Sequence, residues 1–222
     1  NDKSHRTFYA FTNDQKVKAK IIHDLSYTST SIEIVPNLMK NPAEIEYTLM
    51  GMIFLEIAQR YHFIPFHASA VSYRKQVMLF AAPSRTGKST HAHLWKTFNQ
   101  EVFILNDDKP LIRLDDQVFN VYSSPFSGKT SKNINTIQPL KAIFFIKQAT
   151  FSQVEKMSHA EKLKEIMRNT LRPSDDEGWS ERAGTLTKLI HHIPIFTLQA
   201  TKDFQAVKVV YDTLYGENVY EN

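Results

Sequence analysis

A short loop ending in Gly87-Lys88-Ser89-Thr90 follows an apolar run and is the segment of the sequence best suited to chemistry. In loops of this kind the backbone N–H groups point at a chain of phosphates, the lysine neutralises their charge, and the next hydroxyl ligates Mg²⁺. The sequence therefore predicts a phosphate-binding loop. The residues predicted to contact the phosphates are Pro83, Ser84, Arg85, Thr86, Gly87, Lys88, Ser89 and Thr90, through their backbone N–H groups except at the proline, which has none.

Two positions depart from the usual pattern of such a loop. Ala82 stands where the pattern opens with glycine, and Arg85 stands where a small residue would let the backbone come closest to the phosphates. Two interpretations of Arg85 stay open: it contributes a charge to the phosphates, or it marks a loop of altered activity.

Adjacent carboxylates, Asp107 and Asp108, follow a second apolar run about twenty residues after the loop. If that run lies beside the first in a sheet, one carboxylate can orient Mg²⁺ or its waters while the other accepts the proton of an attacking hydroxyl. The alternative is that Asn106-Asp107-Asp108 merely forms a turn.

Two further groups are candidates for the same site. His67 lies on the same side of another strand candidate as Ser69, by the period of two, although a strand histidine also occurs as a core group with its hydrogen bonds satisfied. Lys129 ends a glycine-containing segment that begins at Ser124, and it either approaches the transferred group or is a solvated loop lysine. Lys109 and Arg113 flank the carboxylates.

Composition limits the class of protein. The chain has 222 residues, 42% of them apolar, and no cysteine, which predicts one compact domain over 1–222 in a reducing compartment. The net charge of +4 is spread along the chain without a basic run, so nucleic acid is not expected as a partner. No apolar run reaches ~18 residues and no leader is evident, so we expect a soluble, cytoplasmic protein with no membrane partner.

The elements that must position these residues alternate between strands and helices, which predicts an α/β fold. Residues 1–62 are expected to be scaffold, with a strand near a sheet edge over 15–22 and a largely buried helix from Asn41 to about Tyr61. Residues 63–150 would hold the nucleotide and catalytic core. Residues 151–222 would supply an exposed loop at 174–178, an edge strand at 193–198 and two helices, the first started by a capping box at Ser158 and Glu161 and the second spanning about 204–214.

Four segments, taken in order, resemble the HPr kinase/phosphorylase-like kinases, in particular the short bacterial members that lack the long N-terminal domain. They are residues 67–71 (HASAV), 84–91 (SRTGKSTH), 106–110 (NDDKP) and 124–129 (SPFSGK). The resemblance spans roughly 63–147 and extends to the related phosphoenolpyruvate carboxykinase superfamily. It implies a mixed central sheet with flanking helices, like that of the HPr kinase C-terminal domain.

The resemblance also implies roles for individual residues. Lys88 would bind the β- and γ-phosphates of ATP, and Ser89 the Mg²⁺. Asp107 would be the general base that takes the proton of a serine hydroxyl, with Asp108 assisting at the metal, although the two carboxylates can share or exchange these roles. His67 would lie near the transferred phosphate. The acceptor would be a serine of a peptide or small protein, the phosphorolysis signature of the longer members is not evident, and related kinases are often homo-oligomers.

Two other functions are compatible with the same residues. One is a small-molecule kinase or carboxykinase-like enzyme on the same scaffold. The other is a regulatory module that binds ATP without turnover, which the departures at Ala82 and Arg85 leave open, although the paired carboxylates argue against it.

Overall fold

A computed structural model describes residues 5–24, 26–38, 40–83, 86–126, 134–173 and 176–216, with the side chain of Glu177 left out. The chain forms two compact units, divided between Ile57 and Ala58. The expectation of one domain over 1–222 stays a prediction. Among the described residues, no helix combines the length and the apolar character needed to cross a membrane.

The first unit is built on a three-stranded antiparallel sheet of β1 (His5–Phe11), β2 (Val17–Asp24) and β3 (Thr30–Ile34). The order is β1-β2-β3, so β2 is the central strand and the prediction of an edge position was wrong. The alternation of lysines with small or apolar residues shows only which face of a strand is solvated, and it carries no information about neighbours.

Helix α1 (Pro42–Arg60) begins in this unit and packs Leu49 and Ile53 with Ala19 and Ile21 of β2. The prediction that it is largely buried was wrong, because Met52 is 60% exposed and Met50 49% exposed. Apolar residues occur around the whole helix, but within the unit only one side of it packs into this cluster.

The second unit contains a mixed sheet whose main path runs β4-β8-β9-β10-β6-β5-β7, with β12 and β11 continuing from β10. Its strands are β4 (Ile64–Pro65), β5 (Ser69–Tyr73), β6 (Gln76–Ala81), β7 (Phe103–Asn106), β8 (Leu111–Asp115), β9 (Val118–Tyr122), β10 (Ile137–Gln148), β11 (Gln153–Lys156) and β12 (Ile195–Ala200). Strand β10 lies parallel to both β6 and β12 and antiparallel to β9, which confirms the α/β class with a mixed sheet.

Helices cover both faces of this sheet. Alternate residues of β6 bury on opposite sides: Leu79 and Ala81 join the cluster that includes Ile166 of α3 (His159–Asn169) and Leu189 of α4 (Asp176–His192). Met78 and Phe80 join the cluster that includes Trp95 of α2 (Lys88–Phe98) and Val207 of α5 (Phe204–Tyr215). An all-apolar strand is what burial on two faces requires.

Strand β12 pairs with β10 on one side and β11 on the other, so the prediction of an edge strand at 193–198 was wrong. Pro194 lies before the first paired residue and therefore removes no amide from the ladder inside the strand. The loop expected at 174–178 was also wrong from Asp176 onward, where α4 begins. The capping box was confirmed, because the Ser158 side chain accepts from the Glu161 amide and the Glu161 side chain accepts from the Ser158 amide.

Two hairpins have two-residue turns in which both residues have positive φ: Arg74–Lys75 (50° and 58°) and Asp116–Gln117 (47° and 69°). This is the backbone of a type I′ turn, which favours glycine at its second position. We expect Gln117→Gly to raise the free energy of unfolding by about 0.5–1 kcal/mol, because it relieves the left-handed conformation of an exposed side chain. Urea denaturation measures this, and an equal gain in Gln117→Ala, which keeps the conformational cost, would contradict it.

Candidate functional site

The phosphate loop, residues 82–90, connects the end of β6 to the start of α2. Gly87 is the N-cap of α2 with φ of +111°, a conformation that side-chain-bearing residues rarely adopt, and no side chain caps the helix there. The first amides of α2 are therefore available to an anion at the helix N-terminus. Ser84 and Arg85 lie outside the described residues, so the two interpretations of Arg85 stay open.

Lys88 extends from the first turn of α2 to His67, with 2.6 Å between its Nζ and the Nε2 of the imidazole. The same ammonium donates to the carbonyl oxygen of Ala82 at 3.1 Å, which holds it over the loop. Burial lowers the pKa of Lys88, while the charges of Asp108 and Asp107 act in the opposite direction. An anion placed beside this half-buried ammonium would meet little competing water.

His67 lies between β4 and β5 and contacts the carboxylate segment through its other nitrogen. Its Nδ1 is 3.1 Å from Asp108 Oδ1 and 2.5 Å from the Nζ of Lys109, which is itself 3.5 Å from Asp108 Oδ1. The hydrogen bond from His67, reinforced by Lys109, holds the pKa of Asp108 below its usual range although burial opposes this. The Lys88 ammonium can only donate, so Nε2 of His67 is the acceptor of that contact.

Asp107 has a separate partner. Its Oδ1 accepts a hydrogen bond of 2.6 Å from the hydroxyl of Ser69, which is fully buried at the start of β5. The pairing of Ala70 with Asn106 in the β5–β7 ladder brings the two side chains together. Asp107 Oδ2 makes no hydrogen bond among the described residues, so one oxygen of this carboxylate can accept a proton from outside.

Asn106 fixes the backbone on which both carboxylates stand. It is fully buried, and its Oδ1 accepts from the amides of Asp108 at 3.0 Å and Lys109 at 2.8 Å. Its Nδ2 donates to the carbonyl oxygen of Ser124 at 3.3 Å. The turn that the sequence suggested at this asparagine is present, and it also holds Asp108 beside His67.

Strand β7 was expected to lie beside β6, and that placement was wrong because β5 separates them. β5 is antiparallel to both, so β6 and β7 still point in the same direction and end at the same edge of the sheet. The loop and the carboxylates therefore meet across the start of β5, next to His67.

The remaining predicted residues have three different outcomes. Ser89 and Thr90 are exposed on the first turn of α2, and the hydroxyl of Ser89 makes no hydrogen bond among the described residues. Lys129 lies outside the described residues and stays a prediction. Arg113 lies away from the loop, 2.5 Å from Asp115 through Nε and stacked on Phe63. Sequence reasoning did not find Ser69 as the partner of Asp107, although the two-residue spacing from His67 placed it on the right face.

The residues present fit Mg²⁺ bound together with a nucleotide. The Ser89 hydroxyl and the Asp108 carboxylate are oxygen ligands, which Mg²⁺ prefers, and no three His, Cys, Asp or Glu side chains cluster as a metal cage in the described parts of the chain. Magnesium commonly binds through one or two protein groups plus substrate phosphates. When bound, it would neutralise developing phosphate charge.

A cavity of about 530 Å³ opens beside the loop, on the side of the sheet covered by α3. Its floor is the row Ala81, Phe145 and Thr197, which are register partners across β6, β10 and β12. The lining also includes His67, the loop residues Ala82, Pro83 and Thr86, and Lys164 and Arg168 of α3. The volume is in the range of small-molecule and peptide side-chain sites.

Neither a protein-family model nor a curated protein matches the sequence. A solved structure that matches the chain is the HPr(Ser) kinase/phosphatase from Coxiella burnetii, at 9% sequence identity and a TM-score of 0.30. The alignment covers 70% of this chain and 99% of the other.

Proposed function

We propose that this chain is an ATP-dependent kinase that transfers the γ-phosphoryl group to a serine hydroxyl of a peptide or small protein. The observation that carries the proposal is His67, whose two ring nitrogens lie 2.6 Å from Lys88 of the phosphate loop and 3.1 Å from Asp108. The imidazole therefore contacts both the phosphate loop and the carboxylate segment. Phosphoryl transfer needs both a group that binds the phosphates and carboxylates that act on the metal and the attacking hydroxyl.

Asp107 is the general base in this proposal, whereas Asp108 contacts His67 and Lys109. The hydrogen bond from His67 makes Asp108 a weaker proton acceptor, whereas Asp107 keeps one oxygen without a partner among the described residues. The serine proton passes to Asp107, the serine oxygen bonds to the γ-phosphorus, and the bond from that phosphorus to the β–γ bridging oxygen breaks, releasing ADP. Lys88 offsets the charge on the phosphates, and Mg²⁺ held by Ser89 and Asp108 would assist.

The test is a transfer assay on the full chain with γ-labelled ATP, Mg²⁺ and a library of serine peptides. Label on serine, lost when Lys88 is replaced, would support the proposal. Label on a small molecule but on no peptide would indicate the small-molecule kinase, and tight ATP binding without transfer to any acceptor would indicate a nucleotide sensor.

A further inference from the structure

We propose that the cavity beside the phosphate loop binds the acceptor, and that the preferred acceptor is a serine peptide with an apolar neighbour and a nearby carboxylate. This inference rests on the proposed kinase function and adds the acceptor class to it. It starts from the charges that line the cavity on β10 and α3, which the transfer step itself does not use.

Among the described residues, five charged side chains line the cavity, and three of them already have partners. Arg168 is 3.2 Å from Glu165 on the same helix. Glu161 is held by the Ser158 cap, through contacts of 2.8 Å to the amide and 2.7 Å to the hydroxyl. The remaining two are Lys147 and Lys164, which make no hydrogen bond in the described parts of the chain.

The balance of these charges is positive. Lys147 and Lys164 both lie close enough to Glu161 to help lower the pKa of that carboxyl, behind the hydrogen bonds from Ser158. With Arg168 and Glu165 paired, two ammonium groups face one carboxylate, which leaves one positive charge uncompensated. A carboxylate on the ligand would neutralise this charge at short range. Hydrogen bonds between an ammonium and a carboxylate are stronger than those between neutral groups.

The apolar residues of the lining favour an acceptor that also carries an apolar side chain. Phe145 and Met157, which pack on the α3 side of the sheet, line the cavity together with the charged wall. An apolar side chain of the acceptor would lie against these residues, and the methionine can adapt to its shape. A peptide that carries one apolar and one acidic residue therefore matches both kinds of wall.

The position of the cavity favours the acceptor over the nucleoside of ATP. His67, which contacts both Lys88 and Asp108, lines the cavity, so the cavity opens where the γ-phosphate must lie. The nucleoside is at the other end of the triphosphate. A second, smaller cavity lined by Gly87, Thr90 and Thr201 lies on the other side of Thr86, near the start of α2.

The experiment uses the full chain and synthetic serine peptides that differ at one position, with Glu, Gln or Lys near a Ser-Leu pair. We expect kcat/KM to favour the Glu peptide over the Gln peptide by roughly tenfold, the effect of one charge-assisted contact. Lys164→Ala should remove this preference by raising KM for the Glu peptide, and Lys164→Glu should shift it to the Lys peptide. Lys162→Ala is the matched control, because Lys162 is a partly exposed lysine of the same helix that does not line the cavity.

A parallel measurement separates this inference from the kinase proposal. Fluorescence anisotropy of a labelled Glu peptide on the chain loaded with a non-hydrolysable ATP analogue reports binding without transfer. If Lys164→Ala weakens this binding and the transfer assay with ATP gives no phosphorylated peptide, the result would support the cavity assignment and overturn the kinase proposal. Equal binding of the three peptides, binding of none, or a rise in the KM for ATP instead of for peptide in Lys164→Ala would overturn the cavity assignment.

Discussion

Replacing Lys88 by methionine is expected to lower kcat/KM for phosphoryl transfer at least 100-fold and to weaken ATP binding. The ammonium is the cation placed over the loop by its contacts with His67 and the Ala82 carbonyl. Donors preorganised toward developing charge in a partly desolvated site are typically worth 10²–10³ in rate. Steady-state transfer with γ-labelled ATP and titration of a fluorescent ATP analogue measure the two effects.

The matched control is Lys96→Met, on the exposed surface of the same helix, which should leave both values unchanged. Thermal unfolding of the two variants separates catalysis from folding, because Lys88 also anchors the loop through Ala82. Full transfer activity in a folded Lys88→Met protein would show that the loop does not hold the phosphates. Lys88→Arg is expected to have little more transfer activity than Lys88→Met, because a planar guanidinium does not replace a point charge at 2.6 Å from an imidazole.

Replacing Asp107 by asparagine is expected to lower kcat by about 10²–10⁴, the usual contribution of a positioned general base, with little change in the KM for ATP. The variant keeps an oxygen that can accept the hydrogen bond from Ser69, so the local structure should survive. Single-turnover transfer to a serine peptide isolates the chemical step and is the appropriate measurement.

Asp108→Asn is the informative comparison, because it removes the carboxylate charge beside His67 and Lys109 rather than the proposed base. We expect its main effect on the Mg²⁺ and ATP dependence of the rate. Asp116→Asn, in the exposed β8–β9 turn, serves as the neutral control. Unchanged single-turnover transfer in Asp107→Asn would remove this residue from the role of base.

The local parts of the site could be predicted from the sequence. The order of strand, loop and helix around Gly87 and Lys88 follows from a short apolar run, a glycine and helical spacing, and the structure has all three. The capping box at Ser158 and Glu161 is another local signal that was confirmed. Such features depend on neighbours within a few residues, so pattern and stereochemistry determine them.

The missed features depend on pairing between distant segments. β5 lies between β6 and β7, and β11 pairs with the outer side of β12. The pairing of strands that are distant in sequence determines this order, and a short segment of sequence does not indicate its pairing partner. The contacts of Lys109 with His67 and of Ser69 with Asp107 result from the same pairing. Helix α4 was missed because its polar, acidic start resembles a loop, while its buried residues Leu186, Leu189 and Ile190 lie further along.

In the proposed kinase, the strand β5 between β6 and β7 would set the distance from the phosphate loop to the carboxylates. Two strand spacings of roughly 4.8 Å place the carboxylate strand nearly 10 Å from the loop strand. A hydroxyl within about 3 Å of its base and 3–3.5 Å of the phosphorus occupies roughly 6 Å of such a gap. If β6 and β7 were adjacent, Asp107 would lie directly against the bound phosphates of the proposed kinase, whereas the observed order would leave room for an alcohol between the γ-phosphate and Asp107.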